Sequence, residues 1–335
     1  MVATGGKIFA TDYNSIRTSV SGVLSTAYGQ TLRSSALTGT VDSVTQAQWE
    51  DLYLDAQSAY VHQQGSAYAS LAVPSVGYTV GANASQTFNQ TTGARSTPAN
   101  GSFMGVNDYT GIVTAITSFN GATSGFPVGN LSVGSATTST RATAWGGTTP
   151  QAIYHVVTAT FASVAQMDYY FNAGGEIRFT ASLTGGSGSK DTDWANMLTA
   201  IGTVKFDKWE LTASSGTPTP SGSGGSGYDS LTSSYRQLFI KAGSGVYADN
   251  DYKIEGYKSS AVLRFRITFN DGDVGTDPTS PVDESVGGTT TSNVIPVRPD
   301  SSFIYNSITE TAVSVAAPTI ANQVLLTTNN ASPPA

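Results

Sequence analysis

Few side chains in this sequence could do chemistry, and their setting limits what that chemistry could be. Two histidines occur in 335 residues. His62 stands in Tyr60-Val61-His62-Gln63-Gln64, and His155 lies within the apolar run Ile153-Tyr154-His155-Val156-Val157. They are not at the spacing of a metal-binding pair, and neither has an acidic neighbour in sequence. A Ser-His-Asp group would have to use one of them, yet no Gly-x-Ser-x-Gly turn stands between a strand and a helix to expose a nucleophile. Each is expected to be a helix-end or core histidine with its ring satisfied by hydrogen bonds.

The densest acidic cluster is Asn270-Asp271-Gly272-Asp273-Val274-Gly275-Thr276-Asp277. Carboxylates on a glycine-rich turn suit calcium, a hard ion that takes six to eight oxygens. No glutamate closes the cluster at the twelfth loop position, so a turn between strands is the preferred reading. Calcium at Asp271, Asp273 and Asp277 is the alternative. The glycines of 222–227 lack the strand, helix and lysine of a phosphate loop. Absence of cysteine removes disulfides, thiolate nucleophiles and zinc-thiolate sites together. No catalytic residue, cofactor or metal is therefore expected, and the chain reads as non-enzymatic.

Composition narrows the partners. The net charge is −7, and the 16 Lys and Arg residues are scattered. A phosphate-tracking surface needs them clustered, so nucleic acid is not an expected partner. Charged residues make up 12% of the chain, about half the globular norm of roughly 25%. Ser, Thr, Gly and Asn take their place, a mixture suited to hydroxyl-rich β surfaces. The opening stretch MVATGGKIFATDYN has neither the basic nor the apolar region of a signal peptide, and no apolar run reaches the ~18 residues of a membrane span.

The elements that must position these residues fall into three regions. Region 1–70 carries two helical patterns. Tyr13, Ile16, Val20, Val23, Leu24 and Ala27 form one stripe, with Thr11 or Asp12 as cap and Gly29 after the end. Thr45 and Gln48 are spaced as a capping box. Trp49, Leu52, Tyr53, Ala56, Ala59 and Tyr60 follow at helical spacing, with Asp51, Asp55, Gln57 and Ser58 assigned to the wet side. Helices this short are marginal unless packed, so the pair is expected to pack on itself, on the body or on another subunit.

Region 71–150 reads as a loop-rich β insertion, with short strands near Ser75–Val80, Gly111–Ser118 and Asn130–Val133. Region 151–335 reads as a β-sandwich, with a flexible loop over 214–226. Gln151–Phe161 is a strand, and Met167–Phe171 and Glu176–Leu183 read as a hairpin about Asn172-Ala173-Gly174-Gly175. Asp191–Ile201 is a helix with Trp194, Leu198 and Ile201 inward. Further strands fall at Thr203–Leu211, Arg236–Lys241, Asp251–Tyr257, Ala261–Phe269, Thr291–Val297 and Glu310–Ala316. The fold class is mainly β: a β-sandwich body with a short α-helical N-terminal region.

The residues also carry a resemblance. The run Ala10-Thr11-Asp12-Tyr13-Asn14-Ser15-Ile16, then Tyr28-Gly29-Gln30, Ser34-Ser35, Val44-Thr45, Gln48-Trp49, Leu52 and Val61-His62-Gln63, resembles virion structural proteins of tailed bacteriophages, especially cyanobacterial myoviruses. Asp168 to Phe179, the stretch from Gly185 to Trp194 and Ala248 to Ile254 look like the body of the same proteins. The likeness spans most of the chain and weakens between Ser70 and Pro150.

The resemblance implies a tail, baseplate or neck fibre in a virion, made in the host cytoplasm, that docks on other virion proteins by its N-terminal helices. It implies a homo-oligomer, most often a trimer. Ile16, Val20, Trp49, Leu52, Tyr53 and Tyr60 are the candidate interface residues. The alternatives are a capsid decoration or collar protein and a receptor-recognition module binding a host surface glycan.

Overall fold

The structure, a computed structural model, describes residues 10–38, 44–65, 87–88, 95–96, 131–147, 151–219, 225–273, 285–328 and 332–335. The strands expected at Ser75–Val80 and Gly111–Ser118 lie outside these residues, as does Asp277. The chain divides into two compact units, 1–132 with 299–315 and 133–298 with 316–335. Segment 299–315, assigned from sequence to the sandwich region, thus groups with the helical region.

In the first unit, helix α1 (Ala10–Ser21) runs into a π-helical turn (Gly22–Ala27). Its stripe is buried as the spacing requires, with Tyr13, Val20, Val23 and Leu24 at 2% exposure or less. Thr11 and Asp12 lie inside this helix rather than before it. Gly29 follows at φ 68°, where its amide closes on the Ser25 carbonyl. Helix α2 (Gln46–Gln64) begins on the expected capping box: Thr45 accepts from the Gln48 amide, and Gln48 Oε1 accepts from the Thr45 amide. It ends on left-handed Gly65. Two short strands, β1 (Thr87–Phe88) and β2 (Arg95–Ser96), pair antiparallel.

The second unit is built from two antiparallel sheets. The first sheet orders β15 (Thr319–Val324), β5 (Ala152–Thr160), β12 (Val262–Asn270), β11 (Asp251–Ser259), β10 (Arg236–Ala242) and β9 (Thr217–Pro218). The second centres on the long strand β13 (Thr289–Tyr305) and runs through β6 (Glu176–Thr184), β7 (Thr203–Phe206) and β8 (Leu211–Thr212). β3 (Leu131–Val133) and β4 (Thr137–Arg141) also pair with β13.

Alternation explains which faces meet. Leu263, Phe265 and Ile267 of β12 are fully buried while Arg264 and Arg266 lie half-buried on the opposite face. Phe265 packs edge-on against Phe179 of β6 and Phe206 of β7, with ring centroids at 5.1 and 5.2 Å, so the core lies between the sheets. The fold is the mainly β sandwich with a helical N-terminal region that the sequence pattern predicts.

β4 and β15 stand where no strand is expected, β13 runs well past Thr291–Val297, and one expected strand is a helix. Residues expected to open a hairpin at Met167 instead form helix α3 (Val164–Asn172), capped by Ser163 accepting from the Gln166 amide. Met167, Tyr170 and Phe171 make its buried face. The helix prevails because those three sit at i, i+3 and i+4, and Gly174 at φ 92° turns the chain into β6. Helix α4 (Ser189–Ile201) follows β6 and buries Trp194, Leu198 and Ile201 as expected. Within the glycine- and serine-rich 214–226 stretch, Thr217–Pro218 pairs with β10, and buried Ser226 accepts from the Leu211 amide.

Candidate functional site

The helical unit carries the candidate interface residues, and its helices pack on strands of the same unit. The end of β13 and β14 (Ile308–Ser314) form a hairpin turned by Asn306 and Ser307, both at positive φ. Helix α2 lies on this hairpin. Tyr53 meets Tyr305 at 5.7 Å between ring centroids, and the Tyr305 hydroxyl donates to Glu50. Gln30 serves the β14 backbone in both directions: its Nε2 donates to the Ser314 carbonyl at 3.2 Å and its Oε1 accepts from the Ser314 amide at 3.3 Å. Arg33 and Glu310 form an ion pair at 2.6 Å.

These contacts consume the helical stripes. Ile16, Val20, Trp49, Leu52 and Tyr53 are all buried within the unit, and Tyr60 is half-buried. Among the described residues of this unit, the exposed large apolar side chains are at the hairpin tip, where Ile304 and Ile308 are 76% and 63% exposed.

Three of the four residues expected on the wet side of α2 are buried, which corrects the sequence reading, while Asp51 stays half-exposed. Asp55, Gln57 and Ser58 are each at most 2% exposed. Asp55 is held there because its oxygens accept from the Arg33 amide, the Ser34 amide and the Ser34 hydroxyl, at 3.0, 3.0 and 2.6 Å. A carboxylate with three donors tolerates burial that an unpaired one would not. Burial pushes the Tyr28 hydroxyl up to about 12, although Gln63 donates to it at 2.9 Å.

Both histidines face serines. His62 Nδ1 is 2.9 Å from Ser301 Oγ, and His155 Nδ1 is 2.9 Å from Ser292 Oγ. The second pair continues to Asn322 Oδ1 at 2.8 Å from His155 Nε2. Asn322 Nδ2 donates to the Thr138 carbonyl, so its oxygen must face the ring and accept from Nε2–H. Nδ1 then accepts from the Ser292 hydroxyl. This is the hydrogen-bond order of a Ser-His-Asn catalytic group, but His155 and Ser292 are at most 1% exposed and offer a substrate carbonyl no approach. Burial pushes the His155 ring below its ordinary value, partly offset by the hydrogen bond to Asn322.

The acidic cluster has a cation of its own. Lys190 Nζ lies 3.0 and 3.2 Å from the two Asp271 oxygens, 3.3 Å from the Asp273 carbonyl and 3.7 Å from Asp273 Oδ2. All three side chains are buried. An ammonium thus occupies the place offered to calcium at Asp271 and Asp273. Among the described residues no group of three His, Asp or Glu side chains could hold a metal ion. Asp191, on the next residue of α4, accepts from the Ser187, Gly188 and Gly287 amides at 3.0, 2.9 and 2.6 Å.

The sequence reading missed the Lys190 cluster and the burial of Asp55. Lys190 and Asp271 are 81 residues apart, and no local pattern joins them. A depression of about 280 Å³ is lined by Thr160, Phe161, Gln166, Thr319 and nearby alanines, none of them titratable. Among the described residues no helix is long and apolar enough to cross a membrane. Comparison with known protein families, with curated proteins and with solved structures finds no match.

Proposed function

We infer that the chain is a non-enzymatic structural component of a bacteriophage virion, a tail, baseplate or neck fibre that docks through its helical unit and presents the β-sandwich. The observation that carries this reading is the fate of the reactive side chains. His62, His155, Asp55, Asp191 and Lys190 are each spent on internal hydrogen bonds that hold elements together. The resemblance to virion proteins of tailed phages supplies the setting.

The packing refines how docking would work. The helical stripes are covered within the chain, so symmetric association as a trimer would use surface left outside them, including the hairpin tip at Ile304 and Ile308. The decoration or collar reading differs in the place of attachment, and gold-labelled antibody on purified particles separates the two. Label on fibres supports the proposal. Label over the capsid shell favours decoration, and absence of label from particles removes the virion role.

A further inference from the structure

The Lys190 cluster goes beyond a salt bridge. We propose that Lys190 and Asp271 become joined by an intramolecular isopeptide bond that the folded chain forms unaided, with Asp273 relaying the proton. This inference is independent of any virion role.

Three features of the cluster support it. The first is placement. Both Asp271 oxygens lie 3.0–3.2 Å from Lys190 Nζ, so the carbon between them falls in the range of about 3–3.5 Å at which bound groups react. The second is dryness. Lys190, Asp271 and Asp273 are 1%, 0% and 3% exposed, and Trp194 and Phe269 of the segments that carry Lys190 and Asp271 meet Trp145, with the three ring centroids 5.1 to 6.3 Å apart. In such a site a lysine–carboxylate pair can pass a proton and stand as amine and carboxylic acid, the forms that condense. The third is the surrounding machinery. The Gly147 amide donates to Asp271 Oδ2 at 2.8 Å, where charge would develop on the attacked group. That approach depends on Gly146, whose φ is +77° and where an added Cβ would stand 2.2 Å from the same oxygen.

The step balances without any other reactant. The Lys190 amine attacks Asp271 Cγ and a C–N bond forms, with the oxygen of the tetrahedral intermediate held by Gly147 N–H. Asp273 takes a proton from Nζ and delivers it to the departing hydroxyl. The C–O bond breaks, one water leaves, and an amide remains. Nothing is oxidised or reduced. The product would tie α4 to the end of β12 across 81 residues of chain.

Intact mass spectrometry of the purified full-length chain under denaturing conditions tests this. The expected result is a mass about 18 Da below that of the sequence, the loss of one water. A tryptic digest should then give a branched peptide joining Lys190 to Asp271, with no cleavage after Lys190. A chain at the full sequence mass that is cleaved after Lys190 would overturn the proposal. Asp273→Asn keeps both bonding partners; after refolding it should form the bond about 100-fold more slowly or not at all. Bond formation at the parent rate in that variant would remove Asp273 from the relay.

Discussion

Asp55 Oδ2 accepts both the backbone amide and the hydroxyl of Ser34, at 3.0 and 2.6 Å, and Oδ1 accepts the Arg33 amide. One carboxylate on α2 thereby fastens the loop that follows the π turn. Asp55→Ala would leave the Ser34 amide buried without its acceptor, a loss of about 2–4 kcal/mol by the usual cost of stranded donors. Urea unfolding followed by circular dichroism measures it. A loss below about 0.5 kcal/mol would mean that Asp55 fastens nothing.

The Arg33–Glu310 pair should behave differently, although it is as short. Its side chains are 31% and 25% exposed, so solvent screens the attraction. Glu310→Gln is expected to cost about 0–1 kcal/mol in the same unfolding measurement. A cost as large as that of Asp55→Ala would contradict the ranking by burial.

His155 sets a pH dependence. In the folded chain its ring is held below the ordinary value of 6.5 by burial, while the unfolded ring protonates near 6.5. As pH falls through that value, the unfolded state binds the extra proton first, so this contribution to stability is full above pH 6.5 and declines on acidification. Thermal melts of the parent chain and of His155→Gln from pH 7.5 to 5 should converge toward low pH. Carboxylates titrate in both proteins, so the difference between them isolates the ring. Parallel curves would show that His155 titrates alike folded and unfolded.

Tyr170 anchors α3 to two strands. Its hydroxyl lies 2.6 Å from the Glu176 carbonyl and 2.8 Å from the Val297 carbonyl, and it accepts from the Val297 amide at 3.1 Å. Burial raises its pKa well above the usual tyrosine range, so it is a neutral donor at any working pH. Tyr170→Phe keeps the packed ring and strands the Val297 amide, for a loss of about 1–3 kcal/mol. Hydrogen exchange at Val297 should quicken in the variant; unchanged exchange would exclude the anchor.

Local patterns were legible and distant pairings were not. The Thr45–Gln48 capping box and the alternation of Leu263, Phe265 and Ile267 are each complete within a few residues, and the structure forms both. Helix α3 was hidden because the aromatic run Tyr169-Tyr170-Phe171 before Asn172-Ala173-Gly174-Gly175 imitates a strand and its turn. Ser163 and Gln166 carried the contrary signal, with the serine–glutamine spacing of a helix start. Polarity alone placed Asp55 in water, because its partners are backbone amides of a loop that leaves no trace in helical periodicity. Lys190 and Asp271 meet only once the sandwich is folded.

The virion role is tested most directly by a cryo-EM map of particles assembled from the genome that encodes this chain. Density for the β-sandwich is expected to project from a tail, baseplate or neck fibre, in symmetric copies attached through the helical unit. Particles with fully assigned density that contain no copy of this fold would contradict it.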